Sequence, residues 1–509
     1  MGKPMIKVQR LCFLGSLVGI YLFSWIIQSH HLIGWDISWG LHETKRLLAG
    51  GQYASDFFEP SPPMFLYLYA PTFLIAKTLS ISLFSAFRLT IFILTSLSLL
   101  LCYPLLRSIA PLFTLILAIT LLVLPGTLDF GQREHLLVIL SMPYFLLVAA
   151  RLENRHVNVY MAAIIGFLAG LGFAIKPFFL ITFGLIELYY LFYNKSLLAW
   201  MRVETLVILG VFIFYIAIIC IFHRNYITIM LPVFMDLYYQ GCGEKWSALI
   251  FEPAIIYCFI VMCCCAMLKS DTYKALNALF IIALIGFLIS YFVQRTTWNY
   301  HLLPAYSMAF LLLSLFFFTF LLPVINKRSD IIFFAMFSFL IFSFPVCYSF
   351  VLYSSCFSYE KKITGLIEFM KIHAENKPVY FFSTALLYEF PAVDYANAIP
   401  ASKYAAFTEL YCILKKIHRA HDNKDIFYLM RKKTIFEEKI ADEIITKKPI
   451  LILVDMQKNK SHLEGIPFDF LPDFLQSKKF QAAWKDYRYL SMLENKVFYK
   501  IAVYERIKR

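Results

Sequence analysis

Residues Thr205 to Phe222 read TLVILGVFIFYIAIICIF, 18 residues without a charged side chain. Wound as a helix, a run of that length matches the hydrocarbon thickness of a bilayer. The run is continuously apolar instead of alternating, which excludes a barrel strand and leaves a helix whose backbone satisfies itself. Similar runs lie near Leu11 to Ile33, Leu89 to Leu106, Ile109 to Pro125, Leu136 to Ala150, Val159 to Ile175, Phe178 to Tyr193, Ala254 to Leu268, Ala275 to Val293, Leu302 to Leu322 and Ile331 to Tyr353. The sequence therefore predicts a polytopic α-helical membrane protein with about eleven spans. Composition agrees, because 60% of the 509 residues are hydrophobic and only 16% are charged. Soluble chains carry about 25% charged residues.

The formal charge of +14 raises the question of nucleic acid, but Lys and Arg are scattered between apolar runs and form no stripe. Nucleic-acid binding is excluded on that ground. Most of the eleven Cys fall inside apolar runs and none has a metal or redox spacing. Lys3, Lys7 and Arg10 precede the first run, and no small-residue cleavage site follows it, so it is read as a retained membrane helix. With the N-terminus inside, alternate connections carry Arg107, Arg151 with Arg155, Lys195 with Arg202, Lys269 with Lys274, and Lys327 with Arg328. The positive-inside rule makes these cytoplasmic. Counting Pro63 to Ser80 as a span would invert that pattern, so it is laid in the interface as a juxtamembrane helix. The expected location is a multi-pass plasma membrane, the inner membrane of a bacterium.

From Cys356 the composition shifts toward Lys, Glu and Asp, with β-like runs at Val379 to Phe382, Ile450 to Val454 and Val497 to Tyr504. Helical patterns lie at Phe407 to Ile417 and Ile426 to Ile440. The expectation is a membrane domain over residues 1–355 and a small extracytoplasmic soluble α/β domain over 356–509.

Four polar clusters fall on the predicted outer face. Asp36 sits where the first helix leaves the bilayer, a costly place for a carboxylate without a task. It also reads as the N-cap of an amphipathic helix running to Ala49. Glu43, Asp56 and Glu59 follow in the same loop. Gln132, Arg133, Glu134 and His135 stand in a row at a membrane boundary, more than interfacial snorkelling explains. Lys176 is a lone outer-face cation, with interfacial anchoring as the plainer reading. Gln294, Arg295, Tyr300 and His301 accompany Trp298, and that mix of cations and aromatic faces suits a phosphate and a sugar ring. Glu187 and Glu204 are read as structural, and Gly166 with Gly170 as a small-residue helix contact.

The stretch from Trp35-Asp36 through Gly50-Gly51, Asp56 and Glu59 to Pro62-Pro63 resembles the first outer loop of the GT-C glycosyltransferases, the superfamily of aminoarabinose and protein mannosyl transferases. Gln132-Arg133-Glu134-His135, Lys176-Pro177 and Gln294 to Pro304 resemble further motifs of one uncharacterised bacterial branch. The resemblance implies a polyprenyl-phosphate-sugar donor and inverting transfer of its sugar on the outer face to an acceptor that is a glycan, a lipid or a protein. It implies Asp36 as general base, with Glu134 or Asp129 as the second outer-loop acid. It assigns Arg133, His135, Lys176, Gln294, Arg295, Tyr300 and His301 to donor and phosphate, and Glu43, Asp56 and Glu59 to the acceptor. Ile37 stands where the family has Glu after Asp, so no cofactor is firmly implied and a divalent metal stays open. Ser61-Pro62-Pro63 departs from the Lys-Pro of the aminoarabinose enzymes, so their donor does not carry over.

Three other readings compete. A transporter or flippase places ionisable groups on broken helices near the midplane, and inverted repeats are absent here. An O-antigen polymerase or ligase concentrates its chemistry in one large late loop. A catalytic C-terminal domain has only Asp394, Asp455, His462 and Asp469, without motif spacing.

Overall fold

A computed structural model describes residues 3–106, 109–238, 243–267, 273–316, 319, 331–495 and 498–507. Arg107, Lys269, Lys327 and Arg328 of the loop reading, the span ends Leu268 and Leu322, and Val497 of the third β-run lie outside them. In chain order the first helices are α1 (Lys3–His30), α2 (Trp35–Leu48), α3 (Met64–Leu79), α4 (Leu83–Cys102), α5 (Ala110–Leu122), α6 (Arg133–Leu152), α7 (Val159–Phe173), α8 (Leu180–Asn194) and α9 (Val203–Phe222). Long helices follow at Pro253–Met267, Lys274–Gln294, Leu303–Phe316 and Ile331–Ala374. Among the described residues six helical stretches are long and apolar enough to cross a membrane: Gln9–His30, Leu83–Leu105, Arg133–Leu152, Pro177–Asn194, Val203–Phe222 and Lys274–Gln294. Shorter apolar helices at Ala110–Leu122, Val159–Phe173 and Pro253–Cys265 fall on three more of the predicted runs.

The chain forms two compact units. The first holds Met1–His31, Ser61–Phe222 and Glu244–Ser355; the second holds Leu32–Pro60, His223–Gly243 and Cys356–Arg509. Two stretches read as outer loops of the membrane domain thus fold with the C-terminal residues.

In the first unit α6 is the central helix, 94% buried over its apolar window. It is flanked by α4, α7 and the Lys274–Gln294 helix. A helix that carries polar side chains such as Ser141 and Tyr144 along its length keeps them among other helices and away from lipid. By contrast α9, with mean hydropathy 3.0, is only 17% buried, which suits a lipid-facing helix. Close approach of α7 to α9 depends on Gly166 and Gly170. A Cβ at Gly166 would stand 2.5 Å from the Glu204 carbonyl oxygen, and one at Gly170 would stand 2.9 Å from Val211.

Charge is confined to the two ends of α6. At its C-terminal end Arg151 reaches Glu204 through Nε and Nη2, each at 3.2 Å. Arg202 donates to both oxygens of Glu187 at 2.6 Å and lies over the Tyr190 ring at 3.7 Å. Arg151 and Arg202 are therefore paired inside the bundle and are not solvated loop cations. Glu187 also accepts from the Tyr144 hydroxyl, consistent with a structural part. Glu134, at the other end, is 17 residues away along the helix, roughly 25 Å at 1.5 Å per residue. That separation is close to the hydrocarbon thickness, so α6 presents a polar cluster at each boundary.

The second unit is built on a five-stranded sheet in the order β2-β1-β3-β5-β4, with β1 Pro378–Phe382, β2 Ile399–Pro400, β3 Leu451–Asp455, β4 Tyr487–Asn495 and β5 Tyr499–Arg506. Strand β1 is parallel to β2 and β3, while β5 is antiparallel to β3 and β4. The Thr408–Arg419 and Asn423–Lys447 helices cover one face, where Tyr380 and Phe382 of β1 meet Phe407, Leu410, Phe436 and Ile440. Alternate residues of a strand share a face, which is why Tyr380 and Phe382 are both in this cluster. A small sheet thus lies near the C-terminus, and it includes β2 and β4, which fall outside the three β-like runs of the sequence. β2 is two residues long, and β4 carries polar residues at its exposed positions. The last apolar helix does not stop at Tyr353. It runs on to Ala374, because Glu360, Lys361 and Lys362 are good helix formers, and it ends just before Asn376 turns left-handed at φ 57°.

Candidate functional site

The cluster at the N-terminal end of α6 begins with a turn. Gly131 sits at φ 91°, and its carbonyl accepts from the Tyr69 hydroxyl at 2.8 Å. Its N–H donates to His135 Nδ1 at 2.8 Å, and His135 Nε2 donates to the Leu121 carbonyl at 2.7 Å. Both ring nitrogens of His135 are therefore spent holding the turn, which removes it from the phosphate ligands that the sequence suggested. Arg133 and Glu134 occupy the first helical turn, where the helix dipole favours an anion.

Lys176 is held extended (φ −138°, ψ 139°) between the end of α7 and Pro177. The residue before a proline is pushed out of the helical region, so α7 stops and the side chain turns into the cluster. Its ammonium donates to Glu134 Oε1 at 2.5 Å, to Gln294 Oε1 at 3.2 Å and to His301 Nε2 at 3.2 Å. These bonds use all three of its protons. The imidazole of His301 donates from Nδ1 to Thr296 Oγ1 at 2.5 Å. Burial, with Lys176 and Arg133 nearby, holds His301 well below the usual histidine range, so it serves as a neutral acceptor. The Tyr300 ring lies 5.7 Å from the Lys176 ammonium. Lys176 is 7% exposed, which rules out the anchoring reading. Glu134 is fully buried, and its Oε2 has no hydrogen-bond partner among the described residues. A buried carboxylate oxygen left so is costly, and a ligand hydroxyl would satisfy it.

Two other predicted residues have partners of their own within this unit. Arg133 donates to Ser61 Oγ at 2.7 Å and stacks on Phe65 at 5.4 Å. Arg295, left-handed at φ 52°, lies over Trp246 at 5.3 Å and donates to the Glu244 carbonyl at 3.2 Å. It braces the 244–246 loop and is not among the partners of Lys176. Thr296, which fixes the His301 ring, lies inside the Gln294 to Pro304 motif, where an uncharged hydroxyl gave no signal of its own.

The first-loop acids belong to the second unit. Asp36 is the second residue of α2 and half-buried, and the N-cap is Gly34, so the capping reading is wrong. Glu43, seven residues on and on the same face of α2, is fully buried. Asp56 accepts from the Gln52 N–H at 2.8 Å and the Ser55 hydroxyl at 3.0 Å, and the backbone bond holds it below the usual carboxylate range. Glu59 is 5% exposed and lies near Tyr226. Asp394, weighed as catalytic from sequence, accepts from Ser38 and, at 2.6 Å, from His42 Nε2. It ties α2 to the C-terminal segment.

No family model matches the sequence, and no curated protein does. Solved structures match its fold over nearly the whole chain. One is the crystal structure of ArnT from Cupriavidus metallidurans bound to undecaprenyl phosphate, with a TM-score of 0.56 at 11% identity, covering 97% of each chain. The chain shares its fold with this ArnT. The apo state of the same ArnT gives a TM-score of 0.55 at 12% identity, covering 98% of each chain. At such identity the likeness lies in the fold, and residue roles rest on the chain's own geometry.

Proposed function

We propose that this GT-C-fold chain is a membrane glycosyltransferase that moves a sugar from a polyprenyl-phosphate donor to an acceptor on the outer face of the bilayer, with inversion. The observation that carries the reading is the buried Lys176 ammonium, satisfied by Glu134, Gln294 and His301 at the N-terminal end of an enclosed apolar helix. A buried cation beside a helix N-terminus and a second cation, Arg133, suit a departing phosphate. The ArnT structure of the same fold holds undecaprenyl phosphate, which supports a lipid-phosphate donor.

In this mechanism the Asp36 carboxylate takes the proton of the acceptor hydroxyl or amine. The acceptor atom forms its bond to the anomeric carbon as the bond from that carbon to the phosphate oxygen breaks. The electron pair leaves with the polyprenyl phosphate, whose charge Lys176 and Arg133 steady. Glu134 holds Lys176 through one oxygen and offers the other to a sugar hydroxyl. Glu43 and Glu59 are kept on the acceptor side. The eleven predicted spans, and an outer-face domain from residue 356 onward, belong to the same proposal. Its support includes Cys412, which is disulfide-bonded, as is common in oxidising compartments.

The test is release of radiolabelled sugar from a panel of undecaprenyl-phosphate sugars by the purified chain and by Asp36→Asn. Transfer by the native chain that Asp36→Asn abolishes, at unchanged thermal stability, is the expected result. Equal transfer by both removes Asp36 as base, and no turnover or binding of any donor removes the enzyme reading.

A further inference from the structure

The second unit contains a cavity of about 480 Å³, enough for a mono- or disaccharide, lined by the end of α2 and the loop after it, by β2 and by the end of the Asn423–Lys447 helix. Five of its lining residues carry charge: Arg46, Asp56, Lys403, Glu443 and Lys447. Three of these groups are already committed. The Arg46 guanidinium donates to the carbonyls of Asp56 at 3.1 Å, Pro400 at 3.1 Å and Ser402 at 2.8 Å. Asp56 is held by Gln52 and Ser55, as described. Glu443 Oε2 accepts from the Tyr380 hydroxyl at 2.6 Å and from Ser402 at 3.4 Å. What the cavity leaves open is two ammonium groups. Neither Lys403 nor Lys447 has a side-chain hydrogen bond or close ion pair within the described residues; Lys403 lies over Tyr404 at 5.4 Å and feels Glu443, Glu409 and Asp56 only at longer range, as Lys447 feels Asp56.

We propose that this cavity binds a saccharide bearing an anionic substituent, a carboxylate or a phosphate ester, with Lys403 as the principal contact and Lys447 as the second. The charge balance of the lining is three cations to two anions, so an arriving monoanion neutralises it. Burial lowers the Lys403 ammonium from its usual range, so it gains from such a partner. Pro400 beside it gives an apolar wall for a sugar ring. Under the glycosyltransferase reading, on which only its role depends, the cavity is an acceptor subsite, and Asp56 acts there by shaping the loop.

The experiment is a binding titration of the full chain in nanodiscs, followed by ligand-detected NMR, with glucuronate, glucose 6-phosphate and glucose as probes. At least one anionic probe is expected to bind saturably and at least tenfold more tightly than glucose, and the preferred one names the substituent. Lys403→Glu is expected to weaken binding tenfold or more, and Lys447→Glu, at an exposed position where folding is not at risk, by several-fold. Lys403→Arg should retain binding. Equal affinity for glucose and the anions, unaltered binding in both charge reversals, or no saturable binding of any probe overturns the proposal. Asp36→Asn separates the two readings. Binding retained by this variant while the native chain transfers no sugar tells against the enzyme alone, and transfer by the native chain without probe binding tells against the cavity alone.

Discussion

Replacing Lys176 with Met keeps the length of the side chain and removes only its charge. Glu134, fully buried, then keeps a carboxylate with no cation, while Gln294 and His301 each lose a donor. Breaking a buried ion pair from one side costs about 3–5 kcal/mol. Lys176→Met with Glu134→Gln leaves neutral groups of similar size, so the double variant should lose only the two remaining bonds, about 1–3 kcal/mol. Stability should therefore be lower in the single variant than in the double. Transfer should behave differently. If the ammonium steadies the departing phosphate, both variants lose it, and turnover falls about 10²–10³-fold in each. Thermal unfolding in detergent reads the first quantity and release of labelled sugar the second. A double variant that regains stability and turnover together would refute the reasoning and reduce Lys176 to a counter-ion for Glu134.

Two further outcomes follow from local geometry. Gly131→Ala places a Cβ 2.5 Å from the Phe87 ring at a φ of 91°, so the turn that presents Arg133 and Glu134 must shift. Overpacking of this kind costs roughly 1–3 kcal/mol, and both unfolding temperature and sugar release should fall. An unchanged unfolding temperature would show that the turn is not under that constraint. Glu389 is fully buried, and burial raises its carboxyl well above the usual range, with Arg46 partly offsetting the effect. The raised value makes its contribution fully present below the unfolded-state pKa and lost as pH rises through the folded-state value. Glu389→Gln removes that loss, so its unfolding temperature relative to the native chain should rise from pH 4.5 to pH 8, and a constant or falling difference would contradict the sign.

The α6 cluster was legible because its residues come in short contiguous runs at the ends of apolar helices, where polarity has no other explanation. Their division of labour was not. His135 and Glu134 are neighbours in sequence, yet one locks a turn and the other pairs with Lys176, since successive helical residues point about 100° apart. Arg295 looked equivalent to His301 until its left-handed backbone sent it to Trp246 and Glu244. Gly166 and Gly170 of α7 were readable as a helix contact from their spacing alone.

What the sequence determined by itself is the solvent of the chain. Run length and the cost of unpaired backbone in hydrocarbon require helices, and the change of composition after Tyr353 marks where apolar runs of spanning length end. Only the tertiary structure decided that the first loop and residues 223–243 fold with the C-terminal segment. Those ties run through Ser38 and His42 to Asp394, and through Asp236 to Lys416 and Lys432. Partners 180 to 356 residues apart leave no periodicity in the sequence. Their pairing is set by which polar groups remain to be satisfied once the helices and the sheet have formed.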